Sequence, residues 1–197
     1  VTASTDATLV AFTNRFTDTH GFGVIEFLPP GGFDVAALPR NLQTPVESPD
    51  LTNGQAVAIL RDRSYAFVTG FDRCSGSRAN EGGNVGIIKN PFGDPNDSDP
   101  QKHPSVVAVT TPVPFSFPDN LVISPDERYL YAGYRGTGGV FVFDIQEMIQ
   151  TIETTDAAKL REDPIEKYAT NAEVARVGTD GAPQGLAIQT APLYVTA

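Results

Sequence analysis

The stretch that decides the fold is residues 120–134, NLVISPDERYLYAGY, in which two short apolar segments flank a polar turn. The two segments, 120–124 and 129–134, are rich in the aromatic and β-branched residues that fit a pleated, half-buried sheet. Between them lies PDER at 125–128. Proline has its φ angle pre-set for the second turn position and aspartate can bond its own backbone, so this sequence predicts a β-hairpin.

The same pattern recurs along the chain. One residue of each copy takes an equivalent place, at spacings of 56, 64 and 63 residues: Ala11, Phe67, Tyr131 and Tyr194. A preceding strand is predicted at 55–60, 120–124 and 184–188, a third strand at 23–27, 83–88 and 139–144, and a fourth at 105–109 and 172–177. Four short antiparallel strands per unit, repeated at this length, predict β-propeller blades, which must stack to bury both faces of each sheet.

The spacing is longer than the ~40–50 residues of common blades, which predicts insertions. One is the loop at 90–104, and the other, at 144–170, has the pattern of a helix. Asp144 is a suitable N-cap with Glu147 three residues later, which is the capping-box spacing. An apolar stripe at i, i+3, i+4 and i+7 follows, formed by Ile145, Met148, Ile149 and Ile152. Pro164 ends a second helix predicted at 156–162.

These segments resemble the YVTN-type β-propeller repeats of bacterial and archaeal surface proteins and of lactonase-like propellers. The resemblance is carried by YVTA at 194–197, AFTN at 11–14, ISPDERYLY at 123–131 and GVFVFD at 139–144. It implies an all-β fold of four-stranded antiparallel blades, a partial propeller of about three blades with a short helical insertion. The approximate blades are 1–50, 51–115, 116–180 and an incomplete 181–197, in one domain over 1–197. The resemblance implies little about activity, because propellers carry many unrelated functions.

A closed propeller needs ~4–8 blades, so about three blades predict that other blades complete the ring. We expect those blades to belong to the same polypeptide, with assembly from other copies of the chain as the alternative. The resemblance also implies an extracellular, cell-surface or periplasmic location.

The charge balance indicates which classes of binding partner are not expected. The chain has 14 basic and 24 acidic residues, a net charge of −10, which disfavours binding to nucleic acid or to anionic lipid. No apolar run approaches the ~18 residues of a membrane span, so membrane insertion is not expected. A single cysteine, Cys74, excludes an intrachain disulfide.

Four polar residues are candidates for ligand binding because they follow second strands of the blades, where propeller loops gather at one end of the channel. They are Asn14, Asp72, Arg73 and Arg135. The competing interpretation is that they are turn residues which hydrogen-bond between blades.

A second candidate is the loop at 94–99, DPNDSD, which offers hard oxygen ligands of the kind that Ca²⁺ prefers. Its ligand set would be Asp94, Asn96, Asp97 and Asp99. The EF-hand pattern fails here, because the glycine at its sixth place and the closing glutamate are missing. The sequence favours a solvated polar turn, with calcium binding as the alternative and no other cofactor expected.

These observations favour a non-enzymatic extracytoplasmic propeller segment, a scaffold or a recognition surface for protein or glycan. The alternative is part of a propeller enzyme, a lactonase-like hydrolase or a quinoprotein-like oxidoreductase, whose catalytic residues lie largely outside this chain. The G-x-S-x-G pattern of a nucleophile elbow does not occur in the sequence.

Overall fold

A computed structural model describes residues 2–3, 9–14, 21–26, 40–42, 54–71, 82–93, 96–136, 139–179, 183 and 185–188. Up to residue 42 it describes the strands and their pairing only. Cys74 and the segment 194–197 lie outside the described residues.

The strands form three four-stranded antiparallel sheets, each a simple meander in chain order. The first contains β1 (Thr2–Ala3), β2 (Leu9–Asn14), β3 (Gly21–Glu26) and β4 (Arg40–Leu42). The second contains β5 (Val57–Ile59), β6 (Tyr65–Phe71), β7 (Gly83–Lys89) and β8 (Ser105–Val109). The third contains β9 (Ser116–Ile123), β10 (Tyr129–Gly136), β11 (Gly139–Asp144) and β12 (Glu173–Gly178). The chain is therefore all-β with the blades of a partial propeller, as predicted. The exact blade boundaries remain predictions.

The predicted repeat is confirmed in the pairing register. The equivalent residues lie opposite equivalent partners: Ala11 opposite Thr2, Phe67 opposite Ala58, and Tyr131 opposite Val122. Because side chains alternate between faces with a period of two, this shared register places the same positions on the same face of every sheet.

The first hairpin turns of the second and third sheets are built alike. In each, an aspartate three places before the next strand accepts hydrogen bonds locally: Asp62 from Ser64, and Asp126 from Ser124 and Arg128. Each turn also has one residue with positive φ, Arg63 at 63° and Glu127 at 57°. The backbone N–H of Arg61 donates to the Glu127 carboxylate at 2.6 Å, which joins the two turns directly. The predicted hairpins are thus confirmed, and they also connect neighbouring blades.

One apolar core fills the space between the second and third sheets. Its largest fully buried side chains include Phe67 and Ile87 from the second sheet and Leu130, Phe141 and Phe143 from the third. Strand β9 contacts β5, β6 and β7, so the two sheets meet at the first strand of the third sheet.

The helical insertion fills the outer part of that space. Helix α1 (Ile145–Thr154) begins at Asp144, whose carboxylate accepts the backbone N–H groups of Gln146 and Glu147. Helix α2 (Ala157–Glu162) packs beside β8, the edge strand of the second sheet. Ile145, Met148 and Ile152 of the predicted stripe are buried in the core, and Ile149 packs against it. A helix over a sheet edge protects the unpaired backbone groups of that edge.

Two predictions at the ends of strands need correction. Strand β9 begins four residues earlier than predicted, at Ser116, and includes Pro118 opposite Tyr134. The strand predicted at 184–188 is not formed over 185–188, which have no regular secondary structure. The predicted partner of this segment, at 194–197, lies outside the described residues. In the part of the chain that is described, no helix is long and apolar enough to cross a membrane.

Candidate recognition site at the start of β9

Of the four predicted ligand-binding residues, two lie among the described residues and two do not. Arg135 lies near the end of β10, and Asn14 is the last residue of β2, the equivalent strand of the first sheet. Both therefore lie at corresponding strand ends, although the side chain of Asn14 is outside the description. Asp72 and Arg73 lie outside the described residues. The assignment of these four to one ligand surface remains a prediction.

Arg135 has an acidic partner that the sequence did not indicate. Its Nε lies 3.1 Å from Oδ2 of Asp119, whose side chain is only 9% exposed, while that of Arg135 is 40% exposed. Asp119 is the extra residue of a β-bulge, because the register shifts there from Gly133 opposite Asn120 to Tyr134 opposite Pro118. A bulge re-aims the side chain of its extra residue. The irregularity therefore brings a buried carboxylate to an exposed guanidinium.

Two polar atoms beside this ion pair are buried without a hydrogen-bond partner among the described residues. They are the second carboxylate oxygen of Asp119, Oδ1, and the amide nitrogen of Asn120, Nδ2. One is an acceptor and the other a donor. Leaving such an atom unpaired costs about 1–3 kcal/mol, and because both atoms are buried, a ligand in solvent does not reach either of them.

Aromatic side chains lie next to these polar groups in the sequence and in the sheet. Phe117 pairs with Arg135 across β9 and β10, and the guanidinium lies 5.9 Å from the centre of its ring. Phe115, two residues earlier, is 64% exposed and has a φ angle of 57°. A bulky side chain with positive φ is an outlier whose strain the surrounding structure must hold in place. We call Phe115, Phe117, Asp119, Asn120 and Arg135 the rim set.

At the described positions of the second sheet that correspond to Asp119 and Asn120, which are Gln55 and Ala56, the contacts are different. There, the hydroxyl of Thr69 accepts the backbone N–H groups of Gln55 and Ala56, at 2.8 and 2.9 Å. In the third sheet the place of Thr69 is taken by Gly133, which lies opposite Asn120. Leu186 lies over Gly133, since a Cβ atom there would be 3.3 Å from its nearer methyl carbon. The two blades share a backbone pattern and differ in chemistry at this point.

In the candidate calcium loop the described carboxylates are engaged in local structure. Asp97 accepts the backbone N–H of Asp99 and lies 3.7 Å from the Nζ of Lys102. These contacts, the backbone hydrogen bond first, lower the pKa of Asp97. Asp99 caps the short 3-10 turn Pro100–Lys102 by accepting the N–H of Gln101. Asn96 is exposed, and Asp94 lies outside the described residues.

Over the described ranges, no three His, Cys, Asp or Glu side chains group in a way that could hold a metal ion. Calcium binding by this loop remains a prediction.

A second group of polar side chains lies where the insertion meets the second sheet. The Glu166 carboxylate accepts the backbone N–H of Thr111 with both oxygens, at 3.0 and 2.9 Å. Burial raises the pKa of Glu166, against the lowering effect of that hydrogen bond. Burial likewise raises the pKa of the Tyr134 hydroxyl, which lies inside the core. These contacts hold the insertion in place.

Sequence reasoning missed four members of the rim set: Phe115, Phe117, Asp119 and Asn120. The strand was predicted to begin at Asn120, four residues after its observed start at Ser116, so the residues before Asn120 lay outside it. A usable sequence signal is the aromatic–polar–aromatic alternation Phe-Ser-Phe at 115–117, directly before the Pro-Asp pair at 118–119.

No protein-family model and no curated protein sequence matches the chain. Among solved structures, the fold is similar to hydrazine synthase of Kuenenia stuttgartiensis, with a TM-score of 0.59 and 16% identity over 92% of this chain and 50% of that one. It also matches a candidate 6-phosphogluconolactonase of Bacteroides fragilis, with a TM-score of 0.49 and 13% identity over 73% of this chain and 33% of that one. The chain thus spans half the length of the first and a third of the second. At such identity the first likeness supports the fold alone, and the second carries no argument.

Proposed function

We propose that this chain supplies blades of a larger extracytoplasmic β-propeller of the YVTN type, and that its role is recognition rather than catalysis. Its ligand would be a protein or a glycan at an extracellular, cell-surface or periplasmic location. The observation that carries the proposal is the rim set, in which a buried, half-satisfied carboxylate and an exposed aromatic ring lie at one end of the first strand of a blade.

The chemistry of the rim set suits binding. Recognition sites combine apolar and aromatic surface with a few placed polar groups. Phe115 supplies exposed aromatic area and Arg135 a partly exposed guanidinium, which the buried Asp119 carboxylate holds in place. Exposed aromatic and arginine side chains are also the residue types that most often dominate binding energy.

The partners follow from the architecture. The third sheet has a second face that a neighbouring blade would cover, and the alignment with the similar structure above covers only 50% of that chain. We propose that the remaining blades belong to the same polypeptide, with other copies of the chain as the alternative. Binding of Ca²⁺ by the loop at 94–99 is retained as a secondary proposal.

The test uses the native polypeptide that contains this chain, applied to an array of immobilised glycans and an array of purified secreted proteins. We expect binding to members of at least one array, and we expect Phe115→Ala to weaken it about tenfold, the effect of losing ~1.4 kcal/mol from an aromatic anchor. Val174→Ala is the matched control, because Val174 is also exposed but lies on β12, the far edge of the sheet.

Equal binding by the wild-type protein and the Phe115→Ala variant would contradict recognition at this rim. Hydrolysis of gluconolactone, or quinone-dependent dye reduction, by the native polypeptide would instead favour the alternative, a propeller enzyme.

A further inference from the structure

We infer that β12, the exposed outer edge of the third sheet, is the docking surface for a helical insertion of the following blade, carried between the third and fourth strands of that blade. This inference rests on the proposed further blades of the same polypeptide and specifies one contact that the first of them makes. Three observations carry it: the shared register of β8 and β12, the way in which the insertion covers β8, and the exposed apolar side chains of β12.

Strands β8 and β12 are equivalent down to a shared irregularity. Each pairs with the third strand of its sheet, and in each the register shifts at the same place, which leaves one extra residue in the strand. That residue is Val107 in β8 and Val174 in β12. The equivalent pairs along the two strands and just beyond them are Val107 and Val174, Ala108 and Ala175, Thr110 and Val177, and Thr111 and Gly178.

The element that covers β8 is the insertion of the following blade. Helix α2 packs beside β8, whereas β9, the first strand of that blade, packs against β5, β6 and β7. Val107 packs against the core cluster that contains Leu160 of this helix, and Ala108 is buried in the same cluster. The outer edge of the second sheet is therefore closed by a helix.

The insertion also holds the residues just beyond β8. Thr110 is fully buried, and the N–H of Thr111 is donated to both carboxylate oxygens of Glu166, at 3.0 and 2.9 Å. The docking surface of the second sheet thus combines an apolar strip with one backbone donor.

The same positions of β12 are exposed. Val174 is 48% and Val177 56% exposed, and Ala175 between them is exposed as well. A Cβ atom on Gly178, the counterpart of Thr111, would meet nothing within 4 Å. Since β12 is the edge strand of its sheet, this apolar strip lies where native proteins normally place a covering helix or loop.

The repeat indicates what covers it. Because β8 and β12 share their register and their bulge, they offer a partner the same backbone geometry. The occupant is therefore an amphipathic helix like α2, with an apolar side towards Val174 and Ala175. A carboxylate beyond that helix would accept the N–H of Gly178, as Glu166 accepts that of Thr111.

Addition of an extended strand to β12 is less favoured. Strand addition needs a regular row of backbone donors and acceptors along the edge. The extra residue Val174 interrupts that row, and bulges are one of the means by which edges resist pairing.

The first experiment measures thiol labelling of the native polypeptide, with Cys74→Ser removing the cysteine of this chain. Val177→Cys should react with a maleimide at least about tenfold more slowly than Lys102→Cys, because a covered thiol reacts only after local opening. The Lys102 side chain is 64% exposed, which makes it the accessible control. Val107→Cys is the covered control, and Val174→Cys gives a second reading of the same surface.

The second experiment identifies the covering segment by photo-crosslinking. Val177→p-benzoylphenylalanine is placed in the native polypeptide, and the crosslinked peptides are mapped by mass spectrometry. We expect a crosslink within the same polypeptide, to a segment beyond residue 197 that lies between the third and fourth strands of the next blade.

Labelling of Val177→Cys as fast as that of Lys102→Cys would overturn the inference, as would a crosslink to a β-strand or to a separate chain. If the native polypeptide is heavier than 21.0 kDa while β12 stays open, the inference fails and the proposed further blades stand. If the native mass is 21.0 kDa, both the inference and the single-polypeptide propeller fail.

Discussion

Gly83, at the start of β7, determines how closely the second and third sheets approach. A Cβ atom there would lie 2.1 Å from Cδ of Pro118 and 2.8 Å from the carbonyl oxygen of Ser116. Its backbone also exchanges hydrogen bonds with Val113, in the segment just before β9. The absence of a side chain therefore lets the start of β9, with the rim set, lie directly against the neighbouring blade.

We predict that Gly83→Ala lowers the free energy of unfolding by about 1–3 kcal/mol, the usual cost of overpacking a filled interior. The contacted atoms belong to a proline ring and to backbone, which cannot move aside cheaply. Gly178→Ala is the control, because a Cβ atom there would meet nothing within 4 Å. Urea unfolding of the two variants measures the difference. An equal midpoint for both would show that Gly83 does not control the approach of the sheets.

At the scale of elements, the insertion between β11 and β12 links the second and third sheets by side-chain hydrogen bonds. In addition to Glu166, which accepts the backbone N–H of Thr111, the insertion contributes Glu153. The Glu153 carboxylate accepts hydrogen bonds from the Tyr65 hydroxyl and, at 2.8 Å, from Lys89 Nζ. Hydrogen bonds from Lys89 and then Tyr65 lower the pKa of Glu153. The insertion thus attaches to the second sheet through a partly buried carboxylate, Glu166, whose pKa is raised, and an exposed one, Glu153, whose pKa is lowered.

The raised pKa of Glu166 predicts a pH dependence of stability. The folded protein holds this proton at pH values where the unfolded chain has already lost it. The free energy of unfolding therefore falls as the pH rises from the ordinary glutamate range through the folded pKa. Glu166→Gln removes the charge and keeps an oxygen to accept the Thr111 N–H.

We expect the thermal midpoint of the Glu166→Gln variant, minus that of the wild type, to increase as the pH rises from about 4 to about 8. Scanning calorimetry at several pH values measures it. A difference that does not vary with pH would mean that burial of this carboxylate has no net cost.

At the scale of the whole molecule, the third sheet has one fully packed face and one incompletely covered face. Leu130, Ala132 and Phe141 face the second sheet and are fully buried. On the opposite face, Tyr131 and Val142 are half-buried, and Val177 is 56% exposed. Apolar residues on a blade face are normally covered by the next blade, so this face fits a further blade.

We predict that the native polypeptide is heavier than the 21.0 kDa of this chain, since about 4–8 blades close a ring. Intact mass spectrometry, with the mass in solution from light scattering, measures it. A native polypeptide of 21.0 kDa found only in oligomers would contradict a single-chain ring and would indicate ring assembly between copies.

The hairpins, the spacings of 56 and 64 residues and the capped helix α1 could be predicted from sequence, because each depends on local chemistry. Turn propensity, the alternation of side chains along a strand and the capping box all act within about ten residues. The spacing then gave the register, since it fixed which residues of each sheet are equivalent.

Of the rim set, only Arg135 was predicted from sequence as a ligand-binding residue. Its role stays a prediction, as do those of Asn14, Asp72, Arg73 and the calcium loop. That Asp119 is the ion-pair partner of Arg135 is seen only from the bulge in β9. That Gly83 allows the close approach of β9 is seen only from the packing of the two blades. These features depend on contacts between residues distant in sequence, which strand propensity does not encode. Local patterning therefore determined the blades, and tertiary packing decided which side chains share the rim.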